Sequence, residues 1–265
     1  MNPSTAASPG TTVPSGVVLR AQGVSIERNG TTLLSDVTFD VRRGELLAII
    51  GPNGAGKSTL IGALAGDIET SAGTIELDGR SLSVLGTRDV ARLRAVLPQQ
   101  LTIAFPFTVR EIVTMGRNPW LDERDEDVVR AAMQRLDVSH LADRTYPTLS
   151  VGEQARTSLA RVLAQETPLL LLDEPTAALD IGQQEKLLGI TRGLVNDGHG
   201  VVAVLHDLNV ARRHADKVLV IHAGRCVAYG TPADVLVAEQ LSSVYDHPIR
   251  VVESRDGTAY ITPGQ

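Results

Sequence analysis

Residues 46–59 read LLAIIGPNGAGKST. Five apolar residues in unbroken succession suit a strand buried on both faces, as in a parallel sheet. Gly51, Pro52, Asn53, Gly54, Ala55 and Gly56 then form a loop whose glycines permit positive φ. Lys57, Ser58 and Thr59 open a run, GKSTLIGALAG, of helical composition. In that order a strand, a glycine-rich loop and a helix turn backbone N–H groups inward around phosphate oxygens and end on the positive pole of the helix. Gly51 and Gly56 five apart, with Lys57 and Ser58 behind them, satisfy the phosphate-loop pattern. Lys57 supplies a full charge for the β- and γ-phosphates and Ser58 a hydroxyl for Mg²⁺.

Further along, LLLLDEP at 169–175 repeats the logic of an apolar strand with a polar end. Its strand delivers Asp173 to a position from which a carboxylate can hold Mg²⁺, and Glu174, one residue on, can orient or deprotonate an attacking water. A third apolar run, VVAVLHD at 201–207, ends in His206, whose imidazole can reach a γ-phosphate. These motifs together predict ATP hydrolysis with Mg²⁺.

Composition bounds the rest. The chain of 265 residues, 43% hydrophobic and 21% charged, has the makeup of a globular domain, and a net charge of −6 excludes a protein built to coat nucleic acid. A single cysteine, Cys226, allows no intrachain disulfide, which suits the cytoplasm. Residues 1–16 are rich in Ser, Thr, Pro and Gly and read as a flexible tail without a secretory signal, and no run reaches the length of a membrane span.

From Val17 two alternating runs flank Asn29-Gly30 and predict an antiparallel pair, followed by GTIELDGRSL and a strand in RAVLPQ. Residues 101–166 have helical texture and read as an inserted α-helical subdomain. The acids Asp122, Glu123, Asp125, Glu126 and Asp127 within it read as a solvated helix start. After the helical run IGQQEKLLGITRGLVND, turns at Ala223-Gly224 and Asp256-Gly257 predict a hairpin-rich C-terminal tail. The fold expected is an α/β P-loop NTPase core, formed by 17–100 and 167–265, with an N-terminal antiparallel β-subdomain and the helical insertion.

From Val17 to about Gly230 the chain resembles the ATP-binding subunits of ATP-binding-cassette (ABC) transporters. The phosphate loop is followed by LPQQ, LSVGEQAR at 149–156, EPTAALD at 174–180 and His206, in the family's order. The resemblance implies that Gln99 ligates Mg²⁺ and senses the membrane partner, and that Ser150 and Gly152 contact ATP bound on the opposite subunit. It further implies that Asp180 belongs to the D-loop and that His206 is the switch histidine. Val151 departs from the signature glycine, and Arg28 stands where an aromatic residue stacks on adenine, a role its planar guanidinium can fill. The run AFPFTVREIVTMGRNPW is similar to importers of metal chelates and most similar to those for haemin. Importers of ferric siderophores or vitamin B12 are the alternatives, and a soluble cassette ATPase of iron–sulfur assembly is the one outside transport. The partners implied are a second copy of the chain in a homodimer, two membrane-spanning permease subunits and, indirectly, a periplasmic binding protein, with the chain peripheral on the cytoplasmic face of the inner membrane.

Overall fold

A computed structural model describes residues 16–99, 103, 105–120, 124–177, 179–254, 257 and 259–264. The first fifteen residues of the expected tail lie outside these, as do Ala104, Asp122, Glu123, Ala178 and Asp256.

The entry is a long hairpin. Val17–Arg28 (β1) and Thr31–Arg42 (β2) alternate apolar and polar residues, and Asn29 (φ 53°) and Gly30 (φ 75°) both take the positive φ of a tight hairpin turn, so Arg28 pairs with Thr31. The buried strand Leu46–Ile50 (β3) leads through the glycine-rich loop into helix Lys57–Ala65 (α1). Ala72–Leu77 (β4) and Arg80–Ser81 (β5) extend the hairpin's sheet antiparallel on β1. Helix Thr87–Leu93 (α2) and strand Arg94–Leu97 (β6) follow.

Three helices come next: Val109–Met115 (α3), Asp125–Arg135 (α4) and Val151–Ala164 (α5). Arg117, 1% exposed, ties them, its Nε on Asp125 at 2.8 Å and its Nη1 on Ala164 O at 2.9 Å and Glu166 at 2.8 Å. The acidic run is therefore not wholly solvated, because a buried guanidinium requires a carboxylate partner. Capping boxes start two of these helices, Thr108 with Glu111 on α3 and Ser150 with Glu153 on α5.

The remainder runs Leu169–Leu172 (β7), Ile181–Asn196 (α6), Gly200–Val204 (β8), Leu208–His214 (α7), Lys217–His222 (β9), Arg225–Gly230 (β10), Pro232–Val235 (α8), Ala238–Tyr245 (α9), Ile249–Glu253 (β11) and Ala259–Pro263 (β12). The C-terminal part is thus not simply hairpin-rich. It has the hairpins β9–β10 and β11–β12, and it also has α7, α8 and α9, each too short to print a 3.6-residue period on the sequence.

Among the described residues the sheet runs β5-β4-β1-β2-β10-β9-β3-β8-β7-β6. Its centre is parallel: β3 lies between β8 and β9, with β7 and β6 beyond β8. The antiparallel part joins at one parallel pair, Arg225 with Ser35. Alternate residues of β3 feed two cores. Leu46, Ala48 and Ile50 pack on the side that carries α3–α6, whereas Leu47 and Ile49 pack against α1 and the hairpin. Such two-sided burial explains the all-apolar wording of β3, β7 and β8, each Leu or Ile contributing about 1.5–3 kcal/mol. It also sets the polar ends of β3, β7 and β8 side by side, and the candidate site lies there.

Candidate active site

The loop after β3 is shaped by close approach. Gly51 sits at φ 149°, where a Cβ would lie 2.0 Å from Ile221 O, so no other residue fits. Gly56, at φ 107°, caps α1 with no side-chain bond, leaving N–H groups of the first turn without a capping side chain and with no acidic residue beside them. The β9–β10 turn supports the loop from below through Gly224 N–H, which donates to Ala55 O at 3.0 Å. The Lys57 side chain folds back over the loop, its Nζ donating to Gly51 O (2.7 Å) and Pro52 O (3.0 Å). Burial lowers its pKa, and the charges of Glu174 and Asp173 offset part of that.

Asp173 and Glu174 follow β7. Burial, followed by the adjacent Glu174, raises the Asp173 pKa, partly offset by a hydrogen bond from Ser58 and by the charges of Lys57 and His206. Among the described residues, no partner meets the buried Asp173 Oδ1 atom. Glu174 adopts φ 51°, a left-handed conformation that costs a non-glycine residue about 1–3 kcal/mol and is kept where the surroundings over-determine it. Here they do. Gln99 Nε2 donates to Glu174 Oε2 at 2.7 Å, and His206 Nε2 lies 2.5 Å from Glu174 Oε1.

A cleft of about 470 Å³ results, with Asn53, Gly54, Gly56, Lys57, Ser58 and Thr59 on one side and Gln99, Glu174 and His206 on the other. A loop of inward N–H groups, a lysine, a hydroxyl beside an unpaired buried carboxylate oxygen and a second carboxylate held at both oxygens are the parts that bind a polyphosphate and direct a water at it.

Residues 34–177 match the family model described as ABC transporter. The chain belongs to the ABC transporter family. The hemin import ATP-binding protein HmuV of Nocardia farcinica is 52% identical over 89% of this chain and 85% of that protein, and the protein of the same name from Streptomyces coelicolor is 46% identical over 98% and 95%. The fold matches a metal-chelate type ABC transporter solved in an inward-facing conformation, with a TM-score of 0.83 and 26% identity over 94% of this chain and 98% of that one. An ATP-binding cassette dimer in a post-hydrolysis state, bound to ADP and Pi, matches with a TM-score of 0.72 and 25% identity over 81% and 98%.

All the residues that line the cleft except Leu33 and His206 fall among those that match the family model. The remaining expected site residues gather elsewhere. Ser150 caps α5, with Glu153 Oε2 accepting from both its N–H and its hydroxyl at 2.8 Å. Gly152 packs so tightly on Gln183 that a Cβ would lie 2.7 Å from Oε1. Asp180 caps α6 by accepting from Gln183 N–H at 2.8 Å. Gln183 also accepts from Arg156 at 2.6 Å, so one residue joins α5 to the start of α6. No motif names Gln183, and its helical context alone gave no signal. Arg28 stands exposed at the end of β1, and Leu33, not Arg28, completes the cleft.

Proposed function

We propose that this chain is the ATP-hydrolysing subunit of a haemin importer. It works as a homodimer on the cytoplasmic face of the inner membrane, bound to two membrane-spanning permease subunits that a periplasmic haemin-binding protein supplies. The observation that carries the substrate is agreement among the relatives. Proteins named hemin import ATP-binding protein align at 42% to 52% identity across most of their own lengths and of this chain. The likeness to a metal-chelate type transporter supports the same branch.

In this reading residues 17–100 and 167–265 form the nucleotide-binding core and 101–166 the helical subdomain. The loop N–H groups of 51–59 and the Lys57 ammonium hold the phosphates, for which Lys57 exchanges its bonds to Gly51 O and Pro52 O. Ser58, Asp173 and Gln99 hold Mg²⁺. The orphaned Asp173 Oδ1 beside the Ser58 hydroxyl is the donor pair a hard cation requires. When bound, that ion neutralises charge on the phosphate oxygens. Glu174 positions the attacking water and takes its proton, and Gln99 and His206 fix its carboxylate. Ser150, Gly152 and Asp180 serve the ATP held by the other copy.

A deletion strain tests the substrate. Loss of this chain should abolish growth on haemin as sole iron source and leave siderophore use intact. The reverse pattern would move it to the siderophore branch.

A further inference from the structure

The C-terminal chain lies beyond the residues that match the family model, yet it returns to the nucleotide site at two places. At the first, α9 backs the phosphate loop. His222 Nδ1 meets Val244 O at 2.9 Å, and the Tyr245 phenol, half-buried against the core, has the Gly51 backbone beside it. At the second, the hairpin β11–β12 meets the helix that follows His206.

That second contact is specific. Asp207 caps α7 by accepting from Asn209 N–H (2.7 Å) and Val210 N–H (3.2 Å), which turns the chain sharply after His206. The half-buried Asn209 side chain bonds to the C-terminal hairpin. Its Nδ2 donates to Ile261 O at 3.0 Å, and Ile261 N–H donates to its Oδ1 at 2.8 Å. An amide that answers both backbone groups of one strand residue fixes that strand in two directions, as a neighbouring strand would. The hairpin is itself held. The Ile261 side chain is 8% exposed in the main core, and Ile249 N–H donates to Ser242 Oγ of α9 at 2.9 Å. The first turn of α7 therefore has a rigid attachment three residues from His206, whereas the imidazole of His206 is half exposed and meets Glu174 at its tip.

We propose that Asn209 is a positioning residue for His206: anchored to the C-terminal hairpin, it holds the start of α7 so that the imidazole stays on Glu174. This rests on the reading of His206 given above. Freed from the hairpin, the turn at Asp207 lets His206 drift, and a displacement of about 1 Å at a reacting group costs one to two orders of magnitude in rate without loss of substrate binding. The effect falls on kcat and leaves ATP affinity unchanged.

The test is a double-mutant cycle in the assembled transporter, with steady-state ATP hydrolysis and ATP affinity as readouts. Asn209→Leu should lower kcat about tenfold with ATP affinity near wild type, measured well below its melting temperature, which the two lost bonds to Ile261 lower. Asn209→Asp, which keeps the bond from Ile261 N–H and loses the one to its carbonyl, should fall between, and it carries the same test if the leucine variant does not fold. Against a His206→Ala background, either substitution should lower kcat no further. Multiplying losses in the double variant, or wild-type kcat in Asn209→Leu while His206→Ala is impaired, would overturn the role of Asn209 alone. Full turnover in His206→Ala would overturn the reading of His206 together with it.

Discussion

His206 Nε2 lies 2.5 Å from Glu174 Oε1, and Gln99 reaches the other oxygen of the same carboxylate at 2.7 Å. The carboxylate is thus held at both oxygens by the protein itself, on a residue whose backbone is in a strained left-handed conformation. Glu174→Gln keeps the shape and removes the ability to accept a proton. Turnover should fall about 10²-fold or more while ATP affinity changes by less than about threefold. Turnover near the wild-type rate would remove Glu174 from its role.

Asp173 carries a cost in the folded chain. Burial, then Glu174, raises its pKa, so the folded state holds the proton more tightly than the unfolded chain. Its contribution to stability is therefore fully present below the unfolded value of about 3.9 and is lost as pH rises through the raised folded value. Asp173→Asn should melt a few degrees above wild type at pH 7, converge with it below about pH 4, and lose Mg²⁺-dependent hydrolysis. Equal melting temperatures at both pH values would mean that burial does not penalise this carboxylate.

Arg28 ends β1 opposite Thr31, exposed and without a place in the lining of the cleft. If its guanidinium lies on adenine in the bound state, Arg28→Ala should weaken ATP about two- to fivefold and Arg28→Tyr should restore it, since both planar groups can stack. Titration with a fluorescent nucleotide reads both. Identical affinities for the alanine and tyrosine variants would make Arg28 a turn residue only.

Gly152 and Asp180 meet at Gln183, Ser150 caps the helix that holds Gly152, and none of the three is among the residues lining the cleft. In the homodimer proposed above, a head-to-tail pairing would give each cleft this second patch from the other copy, the closed two-fold arrangement expected of homodimers. Glu174→Gln, which retains its ATP, should dimerise on adding nucleotide in light scattering, and Ser150→Arg added to it should prevent that. Dimerisation indifferent to Ser150→Arg would separate the signature from the interface.

Much of this was legible from residue patterns for physical reasons. The runs LLAII, LLLL and GVVAV are wholly apolar because both faces of the central strands are covered, and Asn29-Gly30 fixes its hairpin because both residues take positive φ. The loop at Gly51 is legible because only glycine clears Ile221 O. What escaped depends on approach in three dimensions. The helix α2 buries only Val90 and so shows no apolar face, and α7, α8 and α9 span only one or two turns. Leu33 at the cleft, Gln183 between two motifs and Gly224 beneath the loop act through neighbours remote in sequence, and nothing in their own surroundings announces it.

Haemin import by this chain is measured as uptake into proteoliposomes that hold it with its membrane-spanning subunits, ATP enclosed on the side of this chain and haemin-loaded binding protein on the other. The wild-type chain should accumulate haemin only when ATP and Mg²⁺ are both present, and Glu174→Gln should reduce the rate by about 10²-fold under the same conditions. Accumulation that continues at the wild-type rate with Glu174→Gln, or an assembly that hydrolyses ATP yet moves a ferric siderophore and no haemin, would contradict it.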